Sequence, residues 1–330
     1  AVLYGITGTL NMADLSVKIA ASEHTALINI TALIFFVGFG VKSAVFPLYF
    51  WLPSSYHTPP AAVSAIFGGL LTKVGVYAMI RVFTLIFIRD EFIDTLLVSI
   101  ACLTILSGGL GALVQNNIQK VFSFLIICHI GFMVAGLSMH SSMALTGAIF
   151  YMIHDIVVKG NLFLVGGLIY KIKGSNSMKD LGGFYGSYPK LSLLMLIPLF
   201  SLIGIPPLSG FWPKLSLLKG GFEGQHYILI GFILLGSFLT LFVIAKMWTM
   251  VFWKVSTGIP RRPNFRYFGD MKFKDKLNMV IPIALLALVS LYIGFFAEHI
   301  QLLSERISFE LIHTESYIEA VLGNVNSKNN

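Results

Sequence analysis

Long apolar segments separated by short polar connections make up most of this chain. A helix that crosses a bilayer needs about 20 mostly apolar residues. The pattern predicts one partial span followed by eight full spans, with bounds near 1–12, 26–50, 61–88, 93–114, 121–139, 143–170, 190–218, 227–253 and 278–298. We therefore predict an all-α protein that crosses a membrane several times.

The two ends of the chain differ from the spans between them. The segment after the last span, AEHIQLLSERISFELIHTESYIEAVL, mixes charged residues with Ile and Leu at helical spacing. It predicts an amphipathic helix at the membrane interface or on partner subunits, not a further span. At the other end, Ala1 lies inside an apolar segment that lacks the charged region and cleavage site of a signal peptide. We interpret this start as the interior of a longer protein.

Composition supports the assignment to the membrane. Hydrophobic residues make up 56% of the 330 positions and charged residues only 12%, whereas soluble proteins carry about 25% charged residues. The net charge of +8 would suggest a nucleic-acid partner in a soluble domain. In a membrane protein it is explained by the lysines and arginines of cytoplasmic loops, so we expect the lipid bilayer and not nucleic acid as the surrounding partner.

The basic residues of the loops fall unequally on the two sides of the predicted membrane. One side holds twelve: Lys120, Lys171, Lys173, Lys179, Lys190, Lys254, Arg261, Arg262, Arg266, Lys272, Lys274 and Lys276. The other holds five: Lys18, Arg89, Lys219, Arg306 and Lys328. Cytoplasmic loops are enriched in Lys and Arg. The distribution therefore predicts that the first side is cytoplasmic and that the C-terminus is outside.

Neither a metal nor a cofactor is predicted. Cys102 and Cys128 lie in apolar segments without a CxxC or CxxH neighbour, which is typical of small packing residues. No carboxylate cluster has the spacing of a calcium or zinc site, and no nucleotide-binding motif is present.

The first unusual feature inside a span is Lys42 followed by Pro47. An ionisable residue in a spanning helix costs about 2.5–3.5 kcal/mol on insertion scales. Lys42 is the seventeenth residue of the apolar run 26–52, and Pro47 interrupts the helix close to it. A broken helix at membrane depth must lie against protein or a water-filled cavity. The alternative is a lysine that reaches the surface from the end of a short helix.

A polar stripe follows in the next span. Lys73, Tyr77 and Arg81 recur every four residues and so share one helix face, which suggests a hydrated interior. The deep position of Lys73 in its span favours a functional role. Arg81 is near the outer end, where a functional role and simple extension to the surface are equally consistent with the sequence.

The segment FYMIHDIVVKGNLFLVGG carries three polar residues at mid-membrane depth. Asp155 precedes Lys159 by four residues, the favoured order for a helical ion pair, and His154 can exchange protons near neutral pH. The pair is either a purely structural contact in which the two charges neutralise each other, or a breakable ion pair that modulates the pKa of Lys159.

A second broken helix is predicted at IGIPPLSGFWPK. Gly204, Pro206, Pro207 and Gly210 interrupt it, and Lys214 follows. Two spans interrupted by Pro and Gly in different halves of a sequence indicate an inverted-repeat transporter. Lysine precedes the first break and follows the second, an order that suits two segments of opposite topology.

Two further residues complete the candidates. His129 lies mid-span, where packing and function are equally consistent with the sequence, and Lys246 near a cytoplasmic helix end is interpreted as reaching the surface. Buried lysines exchange protons more readily than arginines. The set of buried Lys and His residues therefore predicts proton conduction across a membrane.

Three of these stretches together resemble a known family. Residues 41–81 (VKSAVFPLYFWLPSSYHTPPAAVSAIFGGLLTKVGVYAMIR), HDIVVKGNLFLVGG and GIPPLSGFWPK resemble the antiporter-like subunits shared by respiratory complex I and Mrp-type cation/proton antiporters. Within the family, LYGITGTLNMADLSVKI and YIEAVLG look like the D-type subunits of the Mrp branch.

The resemblance implies an architecture with two inverted five-helix repeats in a subunit of about 14 helices. Residues 1–90 would hold helices six to eight of the family, 91–255 the second repeat, 256–298 a cytoplasmic loop and the last span, and 299–330 an amphipathic tail. Lys42, Lys73, Lys159 and Lys214 would be the lysines of helices seven, eight, eleven and twelve. The acidic partner of Lys42, on helix five of the family, would precede this chain.

One motif departs from the complex I pattern. Complex I subunits commonly read LPDAHxxAP after the first broken helix, whereas this chain reads LPSSYHTPP. Tyr56 aligns with the family histidine, and His57 lies one position later. The departure favours the Mrp branch and makes His57 a less certain site residue.

The function implied is that of a proton-translocating subunit of a multisubunit Na⁺/H⁺ antiporter in a bacterial cell membrane, not an enzyme. Lys42, Lys73, Lys159 and Lys214 would carry protons, His129 and His154 would relay them, and Asp155 would modulate Lys159, with His57, Arg81 and Lys246 less certain. Sister subunits, H⁺ and Na⁺ would be its partners. The alternatives are a redox-driven subunit of complex I or a membrane-bound hydrogenase, and a structural subunit without transport.

Overall fold

The regular elements of the protein are helices throughout the described part of the chain. The computed structural model describes residues 1–22, 24–87, 91–255, 265 and 267–323. In chain order, the α-helices are α1 (Val2–Thr7), α2 (Met12–Ala20), α3 (Thr25–Ser43), α4 (Trp51–Ser55), α5 (Ala61–Ile66), α6 (Thr72–Leu85), α7 (Glu91–Val114), α8 (Ile118–Ser138), α9 (Ser142–Lys173), α10 (Phe184–Ser187), α11 (Pro189–Ile203), α12 (Phe211–Glu223), α13 (Tyr227–Trp248), α14 (Phe273–Phe295), α15 (Ala297–Ile312) and α16 (Glu315–Leu322). A π-helical turn, Phe67–Leu71, joins α5 to α6, and a second one, Thr249–Trp253, extends α13. The predicted all-α fold is confirmed.

Seven of the helices in the described ranges are long and apolar enough to cross a membrane. They are Ala26–Ser43, Ala61–Leu85, Glu91–Val114, Ile118–Ser138, Ser142–Lys173, Tyr227–Trp253 and Phe273–Phe295. The remaining predicted span, 190–218, consists of α11 and α12, two half-length helices on either side of the predicted break. The prediction of a multi-pass membrane protein with two discontinuous helices is therefore confirmed.

The first break shortens the span predicted at 26–50. Helix α3 ends at Ser43, and Ala44 takes the left-handed conformation with φ 61°. Proline has no amide hydrogen, and its ring collides with the carbonyl four residues earlier in a helix. Pro47 therefore excludes a continuous helix through Ser43, and the chain turns before α4.

The partial span predicted near 1–12 is wrong as a single helix. Gly8 is left-handed with φ 70° and ends α1. The Asn11 side chain then accepts a hydrogen bond from the Ala13 amide and caps the start of α2. Glycine after a helix and asparagine before the next one are the residues that favour such boundaries.

Helix α8 lies at the centre of the packing, and almost all of its side chains are buried. It packs against α7 and α9, and α9 in turn contacts α5, α12, α14 and α15. The approach of α7 to α8 requires glycine, because a Cβ at Gly108 would collide with the Cys128 amide nitrogen. The two central helices α8 and α9 carry four of the candidate residues into this core.

The segment predicted as an amphipathic tail forms α15 and α16. Helix α15 packs on α9 and α6, and α16 packs on α2. The Ser308 hydroxyl donates to the Ser142 carbonyl at 2.8 Å and fastens α15 to the start of α9. From the sequence, this tail was expected to lie at the membrane interface or on partner subunits. In the structure it lies on helices of its own chain.

Candidate functional site

Asp155 on α9 is the centre of a buried charged cluster. Its Oδ2 lies 2.6 Å from the Lys73 Nζ, its Oδ1 lies 3.0 Å from the His129 Nδ1, and the Lys159 Nζ is 4.0 Å from the same Oδ1. All four side chains are buried, none more than 2% exposed. One carboxylate therefore faces two amines and one imidazole contributed by three helices, α6, α8 and α9. We call these four residues the Asp155 cluster.

Asp155 has a closer partner in addition to the one that its spacing predicts. Asp155 was predicted to pair with Lys159 at i,i+4 and to modulate it. Lys159 is within ion-pair distance, but Lys73 from α6 is much closer, and the Lys159 ammonium has no hydrogen-bond partner among the described residues. Asp155 and Lys159 share a face of one helix, while Lys73 reaches Asp155 from a different helix, α6.

The π-helical turn before α6 holds Lys73 in place. The carbonyl of Gly68 in this turn accepts a hydrogen bond of 2.9 Å from the Lys73 Nζ. The turn lies close against α9, where a Cβ at Gly69 would meet the Ile156 carbonyl at 3.0 Å. Single π-helical turns inside α-helices occur often at functional sites, and here the turn supplies both the acceptor and the close approach.

His129 extends the cluster toward α13. Its Nδ1 bonds to Asp155, and its Nε2 is 3.5 Å from the Thr240 Oγ1, the outer limit of a hydrogen bond. The ring stacks on Phe132 with centroids 5.5 Å apart. The structure thus places His129 among the charged residues and gives its ring a fixed orientation.

Tyr151 is a polar residue of this site that the sequence interpretation missed. It is fully buried, and its hydroxyl has no hydrogen-bond partner within the described residues. Its ring meets those of His129 and His154 edge-on, with centroids 5.4 Å and 5.5 Å away. The signal was present in the spacing, since Tyr151, Asp155 and Lys159 recur every four residues on α9.

His154 and Lys214 lie at the second break. The His154 Nδ1 is 2.8 Å from the Ser209 hydroxyl in the break. The Lys214 Nζ donates to the Ile203 carbonyl at the end of α11, at 2.7 Å, and lies 5.7 Å from the centre of the Phe132 ring. An unsatisfied carbonyl at the end of a half-helix is a favourable acceptor for a cation.

The other predicted residues lie outside this core. Lys42 is exposed on α3, and no ion pair involving it occurs in the described part of the chain. His57 is half-buried and donates from Nδ1 to the Pro53 carbonyl at 2.9 Å. The guanidinium of Arg81 lies 4.4 Å over the Tyr317 ring of α16. Lys73 is buried, whereas Tyr77 on the same helix face is 57% exposed, so the hydrated stripe through these residues stays a prediction.

Lys246 has a structural contact. Its Nζ donates to the Leu113 carbonyl at 2.9 Å, in the last turn of α7. Basic side chains stabilise the carbonyl end of a helix in this way. The sequence interpreted Lys246 as reaching the membrane surface. In the structure it joins α13 to α7.

The described residues contain no group of three or more His, Cys, Asp or Glu side chains arranged to hold a metal ion. Cys102 and Cys128 are free and buried. The side chains described above are amines, imidazoles, hydroxyls and one carboxylate, all of which can exchange protons.

Comparison with known proteins identifies the family. The model of the family described as NADH:quinone oxidoreductase/Mrp antiporter, TM, matches residues 1–240. The chain belongs to this family. The resemblance predicted from residues 41–81, 154–167 and 204–214 is thereby confirmed.

Similar curated proteins are antiporter subunits by name. The D-type subunit of the Na⁺/H⁺ antiporter of Alkalihalophilus pseudofirmus is 42% identical over 323 residues, covering 98% of this chain and 64% of that protein. Its counterpart of the same name in Bacillus subtilis is 41% identical over 321 residues, covering 97% and 63%. The chain thus spans a little under two thirds of the length of these relatives.

Solved structures show the same fold. A chain in the structure of the Mrp complex from Dietzia sp. superposes with a TM-score of 0.88 at 30% identity, covering 98% of this chain and 66% of that one. A chain of respiratory complex I from Thermus thermophilus with bound NADH superposes with a TM-score of 0.76 at 22% identity, covering 94% and 64%. The second likeness concerns the fold alone.

Proposed function

We propose that this chain is the proton-translocating part of a subunit of a multisubunit Na⁺/H⁺ antiporter, and not an enzyme. The observation that carries the proposal is the Asp155 cluster, in which one buried carboxylate faces two lysines and a histidine. The relatives named as D-type subunits of Na⁺/H⁺ antiporters support the coupling to sodium. H⁺ and Na⁺ would be the transported ions, and sister subunits the partners.

The cluster can pass protons because its positive groups compete for one acid. Burial in a region of low dielectric strengthens each charge interaction. A single carboxylate compensates a single ammonium, so protonation of Lys159 weakens the hold of Asp155 on Lys73, and the reverse also holds. A proton that arrives at one amine thereby favours release at the other, which is the behaviour required of a stepwise path.

The remaining residues receive roles on either side of this cluster. We assign His129 and His154 as relays and Lys214 as the carrier at the second break. We assign Lys42 as the carrier at the first break, where its exposed position on an apolar helix would be satisfied by the acidic partner on helix five of the family. His57, Arg81 and Lys246 have contacts that favour structural roles.

We also infer the domain organisation from the two breaks. Residues 1–90 would complete a first inverted repeat, 91–255 would form the second, and 256–298 and 299–330 would add the loop with the last span and the tail. The two breaks support this division, because each follows a helix that ends in a left-handed residue. Residues 256–264 and 266, and with them Arg261, Arg262 and Arg266, lie outside the described residues.

The membrane and the orientation are part of the same proposal. We infer a bacterial cell membrane with the basic loops in the cytoplasm and the C-terminus outside. Lys120, Lys171 and Lys190 lie at helix ends that this arrangement places on one side, as the enrichment of cytoplasmic loops in basic residues requires. Arg89 and Lys328, counted on the opposite side, lie outside the described residues.

The test is Na⁺-dependent dequenching of a pH-sensitive dye in everted vesicles that contain the complete complex with the full-length subunit. An imposed pH gradient without any redox substrate separates antiport from a redox-driven pump. We expect Lys73→Ala and Lys159→Ala to abolish the Na⁺ response while the complex still assembles. Lys18→Ala is the matched control, a lysine whose ion pair with Asp14 lies on the surface, and should retain the response.

Each alternative predicts a different result. A redox-driven subunit requires that the wild-type vesicles show no Na⁺ response until a redox substrate is added. A structural subunit without transport requires that Lys159→Ala retains antiport in an assembled complex. Either result would overturn the proposal.

A further inference from the structure

Three buried serine hydroxyls form a chain that ends on His154. The Ser201 Oγ on α11 is 2.9 Å from the Ser290 Oγ on α14. The Ser290 Oγ is 3.0 Å from the Ser209 Oγ in the second break, and Ser209 is 2.8 Å from the His154 Nδ1. All four side chains are 0% exposed. The chain therefore links α11, α14, the break and α9 in the protein interior.

This arrangement differs from the usual bonding of serine in a helix. A helical serine commonly donates to the carbonyl one turn before it, as Ser192 on α11 does to Tyr188 at 2.9 Å. The bonds of Ser201 and Ser290 instead run between helices. Because a buried hydroxyl without a partner is costly, the three serines hold one another and the histidine in a fixed arrangement.

The other nitrogen of the His154 ring faces the break. Nε2 is buried and has no hydrogen-bond partner among the described residues. It borders Gly210, where an added Cβ would lie 3.1 Å from it. Across the same break, a Cβ on Gly204 would lie 3.1 Å from the Gly210 carbonyl and 3.2 Å from the Lys214 Cδ. The free nitrogen of His154 thus points into the turn beside which Lys214 is held.

The direction of the hydroxyl chain decides what Nε2 can do. A neutral imidazole has one donor nitrogen and one acceptor nitrogen, and each hydroxyl donates one hydrogen. If the serines donate toward His154, Nδ1 accepts and Nε2 carries the hydrogen. If they donate away from it, Nδ1 carries the hydrogen and Nε2 is free to accept a proton. The chain can therefore select the tautomer of the ring.

We propose that Ser290 is a positioning residue for His154. It is the middle member of the chain and acts by holding Ser209 against Nδ1, which fixes the ring and directs Nε2 at the break beside Lys214. This inference rests on the proposed antiport function. It gives the last span α14 a role in the proton path, although the resemblance assigned the proton-carrying residues to the helices before it.

Several charged or titratable groups surround His154, and the charged ones belong to the proposed proton path. Tyr151 is in ring contact with it, and four charged side chains act on it through space. These are Asp155 and Lys159 from α9, Lys73 from α6 and Lys214 from α12. The pH profile of antiport therefore reports on His154 together with these groups, so the test compares variants that leave all of them in place.

The experiment measures antiport against pH in everted vesicles with the complete complex. The loss of one hydrogen bond in the chain that leads to an imidazole should shift the midpoint of the pH profile by about half to one pH unit. We expect Ser290→Ala and Ser209→Ala each to shift the profile by this amount. The double variant should shift it no further, because both serines act through the same nitrogen. Ser290→Thr, which keeps the hydroxyl, should restore the wild-type profile.

Ser192→Ala is the matched control, since Ser192 is equally buried but bonds only within its own helix. A profile of Ser290→Ala that coincides with wild type would overturn the inference. So would a shift of equal size in Ser192→Ala. If Ser290→Ala prevents assembly, Ser209→Ala decides by the same criterion.

A second measurement separates this inference from the proposed function. Solid-state NMR of the complex with ¹⁵N-labelled histidine reports the tautomer, and the signal lost in His154→Gln identifies the residue. We expect one tautomer in wild type and a changed or mixed one in Ser290→Ala. An unchanged signal overturns the positioning role even if antiport is absent, whereas a wild-type complex without Na⁺ response overturns only the function.

Discussion

The two helix breaks have the same backbone pattern although their sequences differ. Ala44 at the first break and Gly204 at the second are both left-handed, with φ 61° and 87°, 160 positions apart. The amide that follows, of Val45 or Ile205, donates to the carbonyl five residues earlier in each case. In a Schellman-type end of a helix, bonds of this kind satisfy the last carbonyl groups. The break is therefore a repeated backbone unit.

The lysines at these two breaks are held differently. Lys42 precedes its break and is exposed on α3, whereas Lys214 follows its break, is 7% exposed and donates to the Ile203 carbonyl. The second break thus supplies the acceptor for its own lysine, and the first does not. At the second break the Ile203 carbonyl accepts from Lys214, whereas at the first break the Val41 carbonyl accepts from the Trp51 Nε1 at 2.9 Å. The position of the lysine relative to the break therefore decides whether the break itself holds it.

The largest effect is expected from substitution of Asp155, which lies between the two breaks in the sequence. Removing one partner of a buried ion pair costs about 3–5 kcal/mol because a charge remains uncompensated. We expect Asp155→Ala to abolish antiport and to lower the unfolding midpoint of the purified complex in detergent. Asp14→Ala is the control, because Asp14 pairs with Lys18 at 2.9 Å on the surface and such pairs contribute little. Equal destabilisation by both variants would contradict the central role of Asp155.

The next effect concerns a bond found at the first break and impossible at the second. The Phe46 amide donates to the Thr104 Oγ1 of α7 at 3.0 Å, whereas the equivalent residue at the second break is Pro206, which has no amide hydrogen. Thr104→Val leaves the amide without its partner, and we expect a loss of about 1–3 kcal/mol in unfolding free energy. Thr31→Val is the control, since the Thr31 hydroxyl donates only to the Leu27 carbonyl. A loss no larger than the control would show that the first break does not need α7.

A smaller effect is expected from Gly204→Ala at the second break. A left-handed residue other than glycine costs about 1–2 kcal/mol, and the new Cβ would press on the Gly210 carbonyl and the Lys214 Cδ at 3.1 Å and 3.2 Å. We expect reduced stability together with reduced antiport, measured in the same vesicles. Gly231→Ala on α13, where a Cβ meets nothing within 4 Å, should change neither. Full activity in Gly204→Ala would indicate that Lys214 does not depend on the geometry of the break.

The fold could be predicted from the sequence because hydrocarbon imposes strong local rules. The length of each apolar run sets a span, and Pro47 and Pro206 with Pro207 mark the breaks without knowledge of any contact. The prediction failed at a helix boundary inside an apolar segment, where the length of the apolar run gives no information. Gly8 and Asn11 end one short helix and begin another, and the apolar residues on either side concealed that change.

The site could be predicted only in part, because its contacts join distant helices. Asp155 and Lys159 were visible as a pair from their spacing, but Lys73 comes from α6, and local periodicity carries no information about which helix lies opposite. Lys246 illustrates the same limit, since its acceptor, the Leu113 carbonyl, lies 133 positions earlier in the chain. Ser290 had no signal at all, as a single serine in an apolar span is common.

The smallest effect is expected from Ala44→Gly, which makes the first break resemble the second. Glycine relieves the left-handed strain of Ala44 but costs about 0.5–1 kcal/mol in backbone entropy, and the fully buried methyl group is lost. These terms nearly cancel, so we expect the unfolding free energy to change by less than about 1 kcal/mol and antiport to persist. A loss well above this limit would mean that the buried Ala44 methyl makes a required packing contact. In that case the backbone unit would not be interchangeable between the two breaks. The stability of the first break would depend on packing around Ala44, and that of the second on the conformational freedom of Gly204.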